Sequence, residues 1–279
     1  MAQSWRTVKE SWGVLQKDKE LLFFPVLSGI ASLIVIASFL VPSYFAGLLE
    51  NTGTEEGDPI AFVLYAAMYL TLAFVTIYFN SALVFAASER LKGGDPTVGS
   101  GLRGANKRLG SIFAWAMFAG TVSLLIHLLQ RAARGQNNMV GSIITSLVGT
   151  AWQLATFFAV PVVIFENKGV FESLKRSGQL FKQRWGESLV GEFGIGFVFG
   201  LISILVVVAT LALAFVAFGV NPLLGLAIVV LGALSLLLVG ITGSALGTIY
   251  RAALYHYAAW GQVPAEFSND VVAGAYHPR

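Results

Sequence analysis

"LISILVVVATLALAFVAFGV" (residues 201–220) runs for twenty residues with no charge and no polar face. A helix in water keeps one face polar, whereas a helix that is apolar all round belongs in a large core or in lipid. At about 1.5 Å per residue such a run also spans about 30 Å, the hydrocarbon thickness of a bilayer. Composition decides for lipid: of 279 residues 56% are apolar and 12% charged, with a mean hydropathy of +0.74, outside the range of soluble domains.

Comparable runs lie near 21–49, 60–87, 110–129, 139–165, 189–219 and 223–254. The expected fold is therefore an all-α integral membrane protein with six transmembrane helices in hairpins and cytoplasmic amphipathic interfacial helices. Residues 1–20 are read as one such interfacial helix, 21–257 as the six-helix transmembrane domain and 258–279 as a cytoplasmic tail. The first run is read as a span and not as a cleavable signal, because a long polar stretch of mixed charge precedes it and its apolar region far exceeds a signal core.

Lysines and arginines fall unequally on the two sides of these spans. Four precede span one, five lie between spans two and three, five between four and five, and two at or beyond the end of span six. The opposite side holds only Arg131 and Arg134. The positive-inside rule then places both termini in the cytoplasm, here of a prokaryotic inner membrane. The acidic "ENTGTEEGDP" (50–59) faces the other way. A net charge of +3 scattered between apolar runs is a poor stripe for nucleic acid. With no cysteine, thiolate metal sites, cysteine nucleophiles and disulfides are excluded.

Two basic segments carry helical periodicity. Trp5, Val8, Trp12 and Leu15 recur at offsets of 3, 4 and 3, and Phe171, Leu174, Phe181 and Trp185 share a face in "GVFESLKRSGQLFKQRWGE" (169–187). Both read as helices lying in the membrane interface, with a weaker version in "TVGSGLRGANKRLGS" (97–111). Similar lengths from Gly94 to Gly110 and from Gly169 to Gly186 suggest three units, each a basic segment followed by a hairpin. Anchoring to anionic lipid headgroups, at about 1 kcal/mol per charge, accounts for the basic faces, and a docking surface for a cytoplasmic protein partner is the alternative.

Within lipid, small residues let helices approach, so Gly196, Gly200, Gly243 and Gly247 are expected at helix contacts, as is the stripe Ser142, Thr145, Gly149, Gln153 and Thr156. In "GSALGTIYRAALYHYAAWG" (243–261) the small stretch runs into Arg251 and then into Tyr250, Tyr255, Tyr257 and Trp260, read as an aromatic belt. A charge at that depth needs a partner, and Arg251 is expected near Glu192 or Glu166, as a clip between helix ends or a gate. Asn80 and Gln153 complete a candidate intramembrane polar cluster. No clear break within a span is expected, since Pro42 and Pro161 fall near span ends.

No catalytic constellation is found. "GIGFVFG" (194–200) follows a basic segment and continues into a span, unlike a nucleotide loop between strand and helix, and His127, His256 and His277 have no metal-site spacing. Cofactors are expected to be none.

The stretches "KDKELLFFPVLSGI", "FNSALVFAASERLKGGDPT", "PVVIFENKGVFESLKRSGQLFKQRWGE" and "YRAALYHYAAWGQVPAEFSND" resemble a family of uncharacterised multi-pass membrane proteins of bacteria and archaea. More remotely, the alternation of hairpins and amphipathic segments is similar to the membrane domain attached to some glycerophosphodiester phosphodiesterases. The first resemblance implies the architecture and the second brings no phosphodiesterase, because the soluble domain and its acidic ligands are not in this chain. The expected function is a non-enzymatic scaffold or accessory subunit, with a transporter or lipid-handling protein as the alternative.

Overall fold

The computed structural model describes residues 2–47, 59–135, 139–183, 185–268 and 271, with the side chains of 2–4, 134, 135, 139, 142 and 185–193 outside that description. All regular structure among these residues is helical. Six helical segments are long and apolar enough to cross a membrane: Lys19–Phe45, Pro59–Leu91, Leu109–Ala133, Ile143–Phe165, Gly194–Val220 and Pro222–Trp260. They match the six spans expected from hydropathy. The chain divides into two compact units, residues 1–25, 87–96 and 184–279 forming unit 1 and residues 26–86 and 97–183 forming unit 2.

Unit 1 is built on a hairpin of α9 (Trp185–Val220) and α10 (Pro222–Trp260), joined through Asn221. Asn221 caps α10 by accepting a hydrogen bond from Leu223 N at 2.8 Å, and Pro222 at the first turn has no N–H to leave unsatisfied. Down the seam, a Cβ on Gly225, Gly232 or Gly243 would fall 2.4, 2.3 and 3.0 Å from Phe218, Thr210 and Phe199 of α9 respectively. These three glycines let the backbones approach. At Gly196 and Gly200 an added Cβ would meet nothing within 4 Å, so the packing role expected of them is not played within the described chain.

At about 1.5 Å per residue, α10 is about 58 Å long, nearly twice the hydrocarbon thickness. Its two halves differ accordingly: most of 222–244 is exposed and apolar, whereas Ala245–His256 is almost continuously buried by protein. The cover comes from α1 (Ala2–Lys17), which packs on α9 and α10, and from the tail, whose Phe267 lies 6.5 Å from the Tyr250 ring. Tyr250 and Tyr255 are therefore core residues, 1% and 0% exposed, and not members of an aromatic belt. Gly247 is buried with them. The small residues Ala245 and Gly247 and the aromatics after them lie together in the half that meets its own chain.

The buried face of α1 is Thr7, Val8, Ser11, Val14 and Leu15, while Trp5 and Trp12 are 61% and 42% exposed. The hydrophobic offsets alone put the tryptophans on one face with Val8 and Leu15, of which only Val8 and Leu15 are buried. Small hydroxyl residues take that place because they allow closer approach than an indole.

Unit 2 contains α2 (Phe23–Phe45, from residue 26), most of α3 (Pro59–Leu91), α4 (Val98–Asn106), α5 (Leu109–Gly135), α6 (Met139–Ala155), α7 (Ala159–Phe165) and α8 (Val170–Gln183). Helix α4 begins with a reciprocal capping box, Thr97 Oγ1 accepting from Ser100 N and Ser100 Oγ from Thr97 N, both at 3.0 Å. Here α4, like α1 and α8, buries small residues: Gly101, Gly104 and Ala105 in α4, Thr7 and Ser11 in α1, Ser173 and Ser177 in α8. The segments align as TVKES (7–11), GLRGA (101–105) and SLKRS (173–177). Left-handed Gly93 and Asn167 follow the ends of α3 and α7 and lead into α4 and α8, and left-handed Gly261 ends α10.

Span four is interrupted. Helix α6 stops at Ala155 and α7 starts at Ala159, although no break within a span was expected. Pro161 explains the position: its ring clashes with the carbonyl of Phe157 and it cannot donate the N–H that a continuous helix would send there. The effect of a proline falls a turn before it, which moves the break from the span end into the span.

Candidate functional site

Polar and charged side chains collect at the helix ends that carry the lysines and arginines, and they do so separately in each unit. In unit 1, Asp18 stands just before the 3-10 turn Lys19–Leu22 and faces Arg90, from the last turn of α3, with Nε 3.1 Å from Oδ2. The Asp18 side chain is only 7% exposed. Burial pushes its carboxyl above the usual range; Arg90 opposes the shift, and Asp95, Glu20 and Glu266 add to it. Lys17 stands 3.8 Å from Glu266 in the tail.

The same turn of α3 makes two further contacts. Ser88 Oγ lies 2.6 Å from Nε2 of His256, both side chains buried, and the Lys92 ammonium sits 5.2 Å from the Trp260 ring centre. Trp260 meets the His256 and Tyr255 rings edge-on at 4.6 and 5.3 Å. On the tail, Ser268 donates both its N–H and its hydroxyl to the Glu10 carboxylate, at 3.1 and 2.7 Å. Residues 261–268 are thus strapped across α1 and α10.

In unit 2 the break in span four is tied to α8. Phe158 N, released from the helical ladder, donates to Ser177 Oγ at 2.9 Å, and α8 packs on α5, α6 and α7. Ser177→Ala removes the hydroxyl that accepts from that buried N–H, so it should cost about 1–3 kcal/mol. A melting temperature equal to wild type, measured in lipid nanodiscs, would refute that role. Beyond α7, Glu166 accepts from Arg176 Nε at 3.0 and 3.2 Å and lies 2.5 Å from Lys168 Nζ. Arg108 donates to Asn167 Oδ1 at 2.5 Å.

Of the polar cluster read from sequence, Glu166 is in this ion-pair group, Asn80 is half-buried on α3, and Arg251 is half-buried on α10 in unit 1. Gln153 is exposed on α6, one turn beyond the stripe's packed member Gly149, whose added Cβ would lie 2.9 Å from Gln130. The side chain of Glu192, one of the two partners expected for Arg251, lies outside the described residues, as does that of Trp185. Phe171 is 74% exposed, Phe181 half-buried and Trp260 43% exposed. Asp18, Ser88, Arg90 and Ser177 were not singled out from sequence, and Arg176 was read only as a charge on the basic face of 169–187; the small-residue recurrence in α1 and α8 is the signal that points to Ser177. Among the described residues no group of three or more histidine and carboxylate side chains could hold a metal ion.

The fold and these clusters define a multi-pass, all-α membrane protein. Residues 59–265 match the model of a family of unknown function, DUF6159, and the chain belongs to that family. No curated protein gives a significant match.

Proposed function

We propose that this protein is a non-enzymatic integral membrane scaffold or accessory subunit of a prokaryotic inner membrane, with both termini in the cytoplasm and a protein partner at the cytoplasmic face. The observation that carries this reading is α1. Its inner face is fixed on α9 and α10, while Trp5 and Trp12 stand exposed seven residues apart, two turns of one stripe. Large aromatics held outward on a pinned helix suit recognition of a partner as well as immersion in the interface. Anionic lipid headgroups around the exposed lysines and arginines complete the setting.

The tail reads differently from this surface. Its buried Phe267 and the Glu10–Ser268 bonds support a capping role for it, so partner recognition is assigned to α1. Extraction into native nanodiscs followed by mass spectrometry of copurifying proteins tests the proposal. A stoichiometric partner lost on Trp5→Ala with Trp12→Ala is the expected result, and a chain recovered without any partner would overturn it. Deleting residues 262–279 should lower the melting temperature by uncovering Tyr250; an unchanged melting temperature would refute the capping role.

A second reading, transport or lipid handling, draws on the interruption of span four. Discontinuous helices line substrate sites in many transporters. Recovery of the chain alone with a stoichiometric small molecule would favour this reading over the scaffold.

A further inference from the structure

Three cations converge on one tripeptide at the join of α7 and α8. Arg176 and Lys168 both contact Glu166, and Arg108 reaches Asn167. Counting Glu166 and the exposed Glu172, one turn before Arg176, the group keeps an excess positive charge, and Lys107 and Lys175 stand exposed beside it in sequence. The side chains are accessible but not free in solvent: Lys168 is 36% exposed, Arg176 29% and Glu166 17%.

The way Arg176 is held matters most. Its hydrogen bonds among the described residues run from Nε to the two oxygens of Glu166. The carboxylate therefore fixes the guanidinium by its inner edge, and the two terminal nitrogens remain as a planar fork. Such a fork matches the spacing of two phosphate oxygens. Lys168, on Glu166, and Arg108, on Asn167, bring further donors to the same tripeptide.

We propose that Arg108, Lys168 and Arg176 form a phosphate-binding site for the headgroup of an anionic lipid. A soluble phosphate ion carries the same chemistry, and the surroundings favour the lipid. Leu109 and Phe113, following Arg108 on α5, are 44% and 51% exposed, and Phe171 on α8 is 74% exposed with its ring 5.2 Å from Phe118. A basic group bordered by exposed apolar side chains, just past the end of a span, suits a ligand with an anionic head and hydrocarbon chains. The site is independent of the partner surface on α1 and does not require the scaffold reading.

The test uses the full chain in nanodiscs of phosphatidylcholine with a minor fraction of phosphatidylglycerol, with the lipid retained after detergent release counted by native mass spectrometry. Wild type is expected to retain phosphatidylglycerol over phosphatidylcholine, and Arg108→Gln, which leaves the Glu166 pairs intact, to lower that retention by about tenfold. Lys168→Gln should act in the same direction. Millimolar inorganic phosphate is added in a parallel arm. Displacement of the lipid by phosphate at low concentration, with no preference among lipids, would assign the site to a soluble ion and overturn the lipid source. Equal retention of both lipids by wild type, or unchanged preference in Arg108→Gln, would overturn the site itself.

Discussion

Arg90→Ala should destabilise the protein by about 3 kcal/mol, the lower end of the range for breaking a buried pair, because a fifth of the arginine side chain is exposed. The cost comes from what remains. Asp18 is 7% exposed, and its other charged neighbours, Asp95, Glu20 and Glu266, are all acids. Its carboxyl is already raised from 3.8 by burial, against the pull of Arg90. A carboxyl raised in the folded state stabilises that state most below its unfolded pKa, and the benefit is lost as pH rises through the folded value. Without Arg90 the folded value moves higher still. The variant should therefore lie nearest to wild type in acid and furthest from it near neutrality.

Asp18→Asn gives the complementary result. It removes the charge that burial disfavours and keeps an acceptor opposite Arg90, so its melting temperature near neutral pH should equal or exceed that of wild type. Combined with Arg90→Ala it should recover most of the loss, because the two residues share one interaction. Tryptophan fluorescence during thermal unfolding in nanodiscs, at acid and neutral pH, measures each. A loss in Arg90→Ala that is the same at both pH values would remove the uncompensated carboxylate from the explanation.

This pair shows what the sequence conceals. The six spans were legible because each is a long apolar run, and lipid imposes that pattern on every residue it touches. Asp18 and Arg90 are far apart in sequence and sit in segments whose charges are equally well explained by topology, so nothing local distinguishes a buried pair from a solvated one. Tyr250 and Tyr255 misled for a related reason: aromatics near a span end are used for interfaces, and only the cover supplied by α1 and the tail makes them core. The break in span four was nearer to hand. Pro161 is visible, but its consequence appears at the residue four positions earlier, and the Ser177 hydroxyl that receives the freed N–H comes from a helix read only for its basic face.

Gly232→Ala is expected to cost about 1–3 kcal/mol, the range for an overpacked contact. The added carbon would lie 2.3 Å from both Cγ2 and Oγ1 of Thr210 and 2.8 Å from its Cβ. Rotating the threonine moves the first two atoms and leaves the third, which is fixed to the α9 backbone, so the two helices themselves must separate. Thr210→Gly removes that Cβ and should restore much of the lost stability in the double variant. Gly196→Ala and Gly200→Ala provide the contrast, since their added carbons meet nothing within 4 Å. There the residual effect is the entropy of a helical glycine, and each change should be neutral or stabilising by up to about 1 kcal/mol. Sequence spacing treats all these glycines alike as a means of close approach. The neighbour opposite decides which of them fulfils it, and melting temperatures that fall equally in Gly232→Ala and Gly200→Ala would show that the α9–α10 seam runs along a different face.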